Sequence, residues 1–220
     1  LGRVLGIGRR RRGVPHPWFD VLLPGFRRSG GAGGYPETFD DIARIVDTLP
    51  EGRPYVLAGH CSGGHLALWC AARGLLPPAS RWYTRTLPTS VLALAPITDL
   101  TATRRDRLSD DAALRLLGGE EHFTARLPEV DPLTLLRGTG ATGVPTVLVH
   151  GAADEEVPLT QFSDYAAQDL RTVVLPGTGH YTLIEPGAPG ARAVADTLRD
   201  MAAAHFLADA GRADEEAAHR

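Results

Sequence analysis

The chain of 220 residues contains no lysine, so all 23 of its basic side chains are arginines. A chain without lysine lacks the phosphate-binding lysine of a P-loop, which excludes that class of nucleotide-binding protein. The net charge of −3 gives no global attraction to nucleic acid or to a membrane surface. No apolar stretch approaches the ~18 residues that a membrane-spanning helix needs. We therefore expect neither a nucleic-acid partner nor a membrane partner.

Cysteine is also scarce, with only Cys61 and Cys70 in the chain. On one helix, at ~100° per residue, these two residues would lie on roughly opposite faces and would not pair with each other. Two thiols without a disulfide framework indicate a reducing compartment, and we predict a cytoplasmic protein. The arginine-rich N-terminus is not followed by an apolar run and a cleavage site, which argues against a secretory signal. The histidines lack metal-ligand spacing, so we expect no metal and no other cofactor.

The apolar segments of the chain show little polar alternation, and helical patterns separate them. This order is typical of an α/β fold in which helices cover both faces of a mainly parallel sheet. The predicted strands lie within 18–26, 53–60, 90–96, 144–151 and 171–177. The predicted helices lie within 37–50, 62–78, 159–170 and 191–210.

The same patterns divide the chain into three parts. Residues 1–17 are expected to be an irregular basic segment, and residues 18–210 the α/β domain. Within this domain, 99–137 is too long for a plain connection and is predicted to be a helical, cap-like insertion. Residues 211–220 are expected to be a polar, frayed tail.

The stretch "VLAGHCSGG" carries the strongest motif, because it places Gly59-His60-Cys61-Ser62-Gly63 between a predicted strand and a predicted helix. This is the pattern of a nucleophile elbow, in which glycines allow the strand and the helix to pack closely. The N–H of Ser62 and the positive end of the helix would face a developing oxyanion, and the same field favours a thiolate at Cys61. Two alternatives are open: Cys61 is only a small buried residue at the junction, or Ser62 is the nucleophile. The spacing of the glycines centres on Cys61.

A nucleophile elbow predicts an acid and then a histidine further along the chain. Asp154 follows a predicted strand in "VLVHGAADEEVP", and His180 lies in a glycine loop in "VVLPGTGHYTLIEP". Asp154 would orient the imidazole and His180 would act as the base. The alternatives are a solvated acidic loop, a surface histidine, and Asp99 as the acid. His60 is interpreted as a spacer within the elbow.

From about Phe19 to Leu198 the chain resembles the α/β-hydrolase superfamily. It is most similar to the branch of bacterial esterases, kynurenine formamidase-like and prolyl-oligopeptidase-like enzymes. The resemblance rests on the stretches "GGYPETFDDIARIVDTLP", "LAGHCSGGHLALWCAAR", "LALAPITDL", "VPTVLVHGAADEEVP" and "LPGTGHYTLIEP". It implies a nucleophile at Cys61, an acid at Asp154 and a base at His180.

The sequence departs from this family pattern in two places. The family usually has serine where this chain has Cys61, although the dienelactone hydrolase relatives use cysteine there. The family also carries a His-Gly-Gly segment that supplies a second oxyanion donor, and nothing in residues 1–17 matches it. We therefore expect the N-terminal part of the fold to be missing or altered. The loss of one oxyanion donor typically lowers the rate by ~10²–10³.

These observations favour a hydrolase that acts on a small-molecule carboxylic ester, thioester or amide through a Cys-His-Asp triad and an acyl-enzyme. The alternative is a catalytically impaired or non-catalytic member of the fold that binds a ligand or a partner. Apolar residues of the insertion would line an acyl pocket or pack the core of the cap: Leu116, Leu117, Phe123 and Leu127. An oligomeric assembly is compatible with the sequence.

Overall fold

The computed structural model describes residues 4–5, 21–50, 52–166 and 170–218. Most of the segment predicted to be irregular, 1–17, lies outside these ranges. The strands of the described part are β1 (Val4–Leu5), β2 (Val56–His60), β3 (Ser90–Leu94), β4 (Thr146–Gly151) and β5 (Arg171–Leu175).

These strands form a sheet in the order β1-β2-β3-β4-β5. Strands β2 to β5 are parallel, with Leu57 opposite Val91 and Leu92 opposite Val147, whereas β1 pairs antiparallel with β2. The predicted mainly parallel α/β sheet is therefore confirmed. The carboxyl ends of β2 to β5 meet at one edge, where residues from distant parts of the sequence come together.

Helices connect the parallel strands. They are α1 (Glu37–Asp47), α2 (Ser62–Ala72), α3 (Leu100–Arg105), α4 (Leu108–Leu117), α5 (Glu120–Val130), α6 (Pro132–Arg137), α7 (Leu159–Ala166) and α8 (Pro189–Ala218). The segment predicted to be an insertion, 99–137, contains α3 to α6. Helix α8 continues through 211–218, where a frayed tail was expected. Of the helices in the described ranges, none combines the length and the apolar character needed to span a membrane.

The prediction of a strand within 18–26 is wrong for residues 21–26, the part of this segment that the structure describes. Residues 21–26 contain a single bridge position at Leu22, and Leu23 is 46% exposed. Pro24 has no N–H to donate to a neighbouring strand, which limits the pairing of this apolar run. Phe26 instead packs against the main apolar core.

The sheet is apolar on both faces, as expected for a parallel sheet between helices. Alternate residues of β2 point to opposite sides, so that Leu57 joins the core beneath α1 and α2, whereas Val56 joins the core beneath α8. The first core also contains residues of α3 to α6, and Leu117 and Phe123 are almost completely buried in it. Partly buried apolar residues of α8, including Leu198, pack against the second core.

The two faces of the sheet allow a matched test of this packing. Val149 in β4 is 0% exposed, whereas Val174 in the neighbouring strand β5 is 44% exposed. We expect Val149→Ala to lower the free energy of unfolding by about 2 kcal/mol, from lost apolar burial and a residual cavity. Val174→Ala should change it by less than about 1 kcal/mol. Urea denaturation measures both values, and equal losses would contradict the described register of β4.

Candidate active site

The turn between β2 and α2 places Cys61 in a backbone conformation that residues other than glycine rarely adopt. Its φ is 56° and its ψ is −119°. Hydrogen bonds hold this strained residue in place: its N–H donates to the carbonyl of Leu94 over 2.9 Å, and its carbonyl accepts from the N–H of His65 over 3.1 Å. The cost of such a conformation is of order 1–3 kcal/mol, and such residues cluster at functional sites.

Close contact between strand and helix explains the glycine at the start of the turn. A Cβ atom on Gly59 would lie 2.0 Å from the carbonyl oxygen of Gly63, which no real side chain tolerates. Ser62 is the first residue of α2 and its side chain is exposed. Because the first N–H groups of a helix have no partner within the helix, the Ser62 amide can donate to an anion beside Cys61.

Asp154 lies just beyond β4, and both oxygens of its carboxylate accept hydrogen bonds. Oδ2 accepts from His180 Nδ1 over 2.7 Å, and Oδ1 accepts from the N–H groups of Glu156 and Val157, each over 2.9 Å. The Asp154 side chain is 0% exposed. Burial raises its pKa, but these hydrogen bonds outweigh burial and hold the pKa below its ordinary value. Asp154 is therefore a carboxylate at neutral pH.

His180 is a buried imidazole with a raised pKa. Burial alone would lower the pKa of His180, but hydrogen bonding and charge from Asp154 and Cys61 raise it to about 9. The contribution of Cys61 to this pKa indicates that its side chain neighbours the imidazole. The structure brings together Cys61, Asp154 and His180, the residues that the sequence analysis selected for the chemistry.

The loop that carries His180 crosses the end of β4. There the N–H of Ala153 donates to the carbonyl of Thr178 over 3.0 Å. A Cβ atom on Gly151 would lie 2.1 Å from that same carbonyl oxygen. The glycine at the end of β4 thus allows the loop to pass close to the strand, and this brings His180 to the same edge as Asp154.

Two further histidines contact this group: His60, which was interpreted from the sequence as a spacer, and His150, for which no role was predicted. His60 Nε2 donates to the carbonyl oxygen of His180 over 2.9 Å. His150 Nε2 lies 3.0 Å from the carbonyl oxygen of Val157 and 3.4 Å from Asp154 Oδ2. Burial lowers the pKa of both histidines, that of His60 to about 4. Their positions at the carboxyl ends of β2 and β4 were the available signal, because the carboxyl ends of parallel strands lie at the same edge of the sheet.

Asp99, the alternative acid, has a different place in the structure. Its carboxylate caps helix α3 by accepting from the N–H of Ala102 over 3.0 Å. His65 is buried in α2, where Nδ1 lies 3.2 Å from the carbonyl oxygen of Ile97. His122 is exposed on α5. Among the described residues, no group of three or more His, Cys, Asp or Glu side chains is arranged as a metal site requires.

A cavity of about 240 Å³ lies beside the turn that holds Cys61. Ser62 and Ile97 form its wall next to the turn, and Ile97 donates its N–H to the carbonyl of Cys61 over 3.5 Å. Most of the remaining wall is apolar and includes Phe26, Leu66, Leu100, Ala112, Ala113 and Leu116. Of the four residues predicted to shape an acyl pocket, Leu116 lines this cavity. Leu117 and Phe123 belong to the core instead, and Leu127 packs against it.

Comparison with known proteins bears on the fold. A family model described as the alpha/beta hydrolase family matches residues 7–197. Among solved structures, an acetyl ester-xyloside bifunctional hydrolase from Caldicellulosiruptor lactoaceticus is 16% identical with a TM-score of 0.65, and the match covers 86% of this chain and 72% of that one. No curated protein sequence matches the chain significantly.

Two esterases from lactobacilli have the same overall fold. Esterase B from Lactobacillus rhamnosis, in a structure with a tributyrin phosphonate, is 18% identical with a TM-score of 0.66 over 87% of this chain and 68% of that chain. A carboxylesterase from Lactobacillus plantarum is 18% identical with a TM-score of 0.59 over 88% of this chain and 74% of that chain. At such identities the similarity concerns the fold.

The contact between Asp154 and His180 predicts how the pKa of His180 responds to the loss of the carboxylate. We expect Asp154→Asn to lower the pKa of His180 from about 9, because the imidazolium loses a charged acceptor. An NMR pH titration measures this value, with the His180 signal assigned by its loss in His180→Ala. Glu155→Gln, which removes the exposed neighbouring charge, is the matched control and should leave the titration nearly unchanged. Identical titration of the wild type and Asp154→Asn would contradict the described contact.

Proposed function

Because the chain belongs to the alpha/beta hydrolase family, we propose that it hydrolyses a small-molecule carboxylic ester, thioester or amide. In this proposal Cys61 is the nucleophile, His180 transfers the proton and Asp154 orients His180. The observation that carries the proposal is the His180 imidazole, which donates a hydrogen bond to a buried carboxylate and has a pKa that the neighbouring Cys61 raises further. A nucleophile, a base and an orienting acid within bonding reach are the minimum set for acyl transfer.

The raised pKa of His180 indicates how the first step would begin. At neutral pH the proton resides on the imidazole. The thiolate is the reactive form of a cysteine, and in this proposal the Cys61 thiolate attacks beside the His180 imidazolium. The sulfur forms a bond to the carbonyl carbon, and the carbonyl π electrons move to the oxygen. The Ser62 N–H then donates to this oxyanion. As the oxyanion collapses, the bond to the leaving group breaks and His180 protonates that group.

The second half-reaction regenerates the site. The neutral His180 accepts a proton from water, and the resulting hydroxide attacks the thioester carbonyl. Collapse of this second oxyanion breaks the carbon–sulfur bond and releases the carboxylic acid, while the thiolate again faces the imidazolium. Asp154 stays ionised throughout and stabilises the imidazolium by its short hydrogen bond.

The cavity beside Ser62 supports a preference for an apolar acyl group. Its volume of about 240 Å³ has room for a short acyl chain, and its apolar wall gains free energy when water is displaced. Helix α4 supplies Ala112, Ala113 and Leu116 to this wall. The insertion 99–137 is therefore proposed to act as a cap that forms one side of the acyl site.

A panel of p-nitrophenyl esters, acyl thioesters and N-formyl aromatic amines tests the proposal. We expect Cys61→Ala and His180→Ala to lower kcat/KM by about 10³ or more on any substrate that the wild type hydrolyses. Cys70→Ala is the matched control, because Cys70 is buried in the core and its pKa is raised to about 12 by burial. Wild-type turnover in Cys61→Ala would overturn the assignment, and absence of turnover in all three classes would favour the non-catalytic alternative.

The pH dependence of Cys61→Ser separates an ion-pair mechanism from a general-base mechanism. In the wild type, kcat should fall above about pH 9, because His180 then lacks the proton for the leaving group. In Cys61→Ser, a neutral hydroxyl replaces the thiol and the pKa of His180 should fall. Because serine needs a neutral base, the residual kcat should rise with pH through this lower pKa. Parallel pH profiles for the two proteins would contradict the proposed ion pair.

A further inference from the structure

His60 is the last residue of β2 and directly precedes Cys61, but its side chain contacts the residue proposed as the base. Its Nε2 donates to the backbone carbonyl of His180 over 2.9 Å, across 120 positions of sequence. The two imidazole rings are 4.3 Å apart between centroids. His60 is 3% exposed. If it were only a spacer, its side chain would fill space and need no hydrogen bond to the loop of His180.

The route of the chain explains why this bond matters. His180 follows β5, which neighbours β4, whereas Cys61 follows β2 on the far side of β3. The contacts of Asp154 with His180 and of Ala153 with Thr178 tie the loop to the end of β4. The bond from His60 ties the same loop to the end of β2, where the thiol is.

We propose that His60 is a positioning residue that holds the backbone of His180 and thereby keeps its imidazole beside Cys61. The expected effect on kcat rests on the proposed function. The positioning itself is tested without a substrate, by the reactivity of the Cys61 thiol. His60 would not touch the substrate. A misplacement of a reacting group by about 1 Å can lower a rate by ~10².

The charge state of the pair is compatible with this role. Burial, and then the charge of His180, lower the pKa of His60 to about 4, so His60 is neutral where His180 is cationic. A neutral imidazole donates one hydrogen bond without repelling the cation beside it. The ring of Tyr181 neighbours both imidazoles, with its centroid 5.0 Å from that of His180 and 6.2 Å from that of His60.

The test compares two substitutions of His60 with a control elsewhere in the sheet. His60→Leu keeps apolar bulk but removes the donor. His60→Gln places an amide N–H₂ near the position of Nε2 and can restore the hydrogen bond to His180. Thr146→Val is the matched control, because it removes a buried hydrogen bond from Thr146 Oγ1 to the carbonyl of Val144, 2.9 Å long, at the other edge of the sheet. Thermal melts show which variants fold.

Two readouts distinguish positioning from general stability. The first is the rate of Cys61 alkylation by iodoacetamide as a function of pH, located by mass spectrometry, with buried Cys70 as the internal reference. The second is kcat and KM on a substrate from the panel. We expect His60→Leu to slow alkylation at neutral pH toward the rate of His180→Ala and to lower kcat by about 10-fold to 100-fold with little change in KM. His60→Gln should recover most of both losses, and Thr146→Val should show neither.

Three outcomes would overturn the inference: wild-type alkylation and kcat in folded His60→Leu, equal losses in His60→Gln and His60→Leu, or the same losses in Thr146→Val. The alkylation readout keeps this inference separate from the proposed function. If the wild type hydrolyses nothing in the panel, and His60→Leu still slows alkylation as His180→Ala does, the proposed function fails and the positioning role stands.

Discussion

The hydrogen bond between His180 and Asp154 joins two loops that leave neighbouring strands of the sheet. At 2.7 Å, with the carboxylate fully buried, this bond fixes the direction of the imidazole and, when His180 is neutral, its tautomer. It requires that the loop of His180 pass close to the end of β4, which the absence of a side chain at Gly151 permits. The parallel register of β2 to β5 then places Cys61 at the same edge. The proposed chemistry therefore depends on backbone packing as much as on the reactive side chains.

The pKa values of two neighbouring imidazoles are shifted in opposite directions, because the two rings have different partners. His60 and His180 are both buried, and burial opposes the charge of each. His180 faces a carboxylate and a thiol, whereas His60 faces a backbone carbonyl. Nearby acidic groups overcome burial for the first, and a neutral acceptor does not overcome it for the second. The site thus keeps one histidine cationic and its neighbour neutral at the same pH.

Much of this fold follows from patterns in the sequence. Strands β2 to β4 are buried, largely apolar runs, and helix α1 has apolar residues at helical spacing, so the parallel sheet was predictable. The nearness of Asp154 and His180 was also predictable, because both residues follow strands at the carboxyl edge. The run within 21–26 was not, since Pro24 outweighs the apolar neighbours that suggested a strand.

The roles of side chains next to the turn were harder to predict. A motif marks His60 only as a position between Gly59 and Cys61, and its contact with His180 arises from a loop 120 residues away. The cavity posed a similar difficulty. Leu116 and Leu117 are adjacent on α4, so they point in different directions, one into the cavity and the other into the core. The sequence predicted a helical insertion over 99–137 but not the direction in which each of its side chains points.

The location of the cavity wall has a consequence for how such a protein could diversify. Much of the apolar lining comes from α3, α4 and the segment before α1, whereas Cys61, Asp154 and His180 come from the ends of strands and the loops that follow them. Exchange of residues in α4 would reshape the space for a ligand while the strand ends stay as they are. Under the proposed function, substrate selectivity would therefore depend largely on α3, α4 and the segment before α1, and reactivity on the strand ends, with Ser62 shared by the cavity wall and the turn.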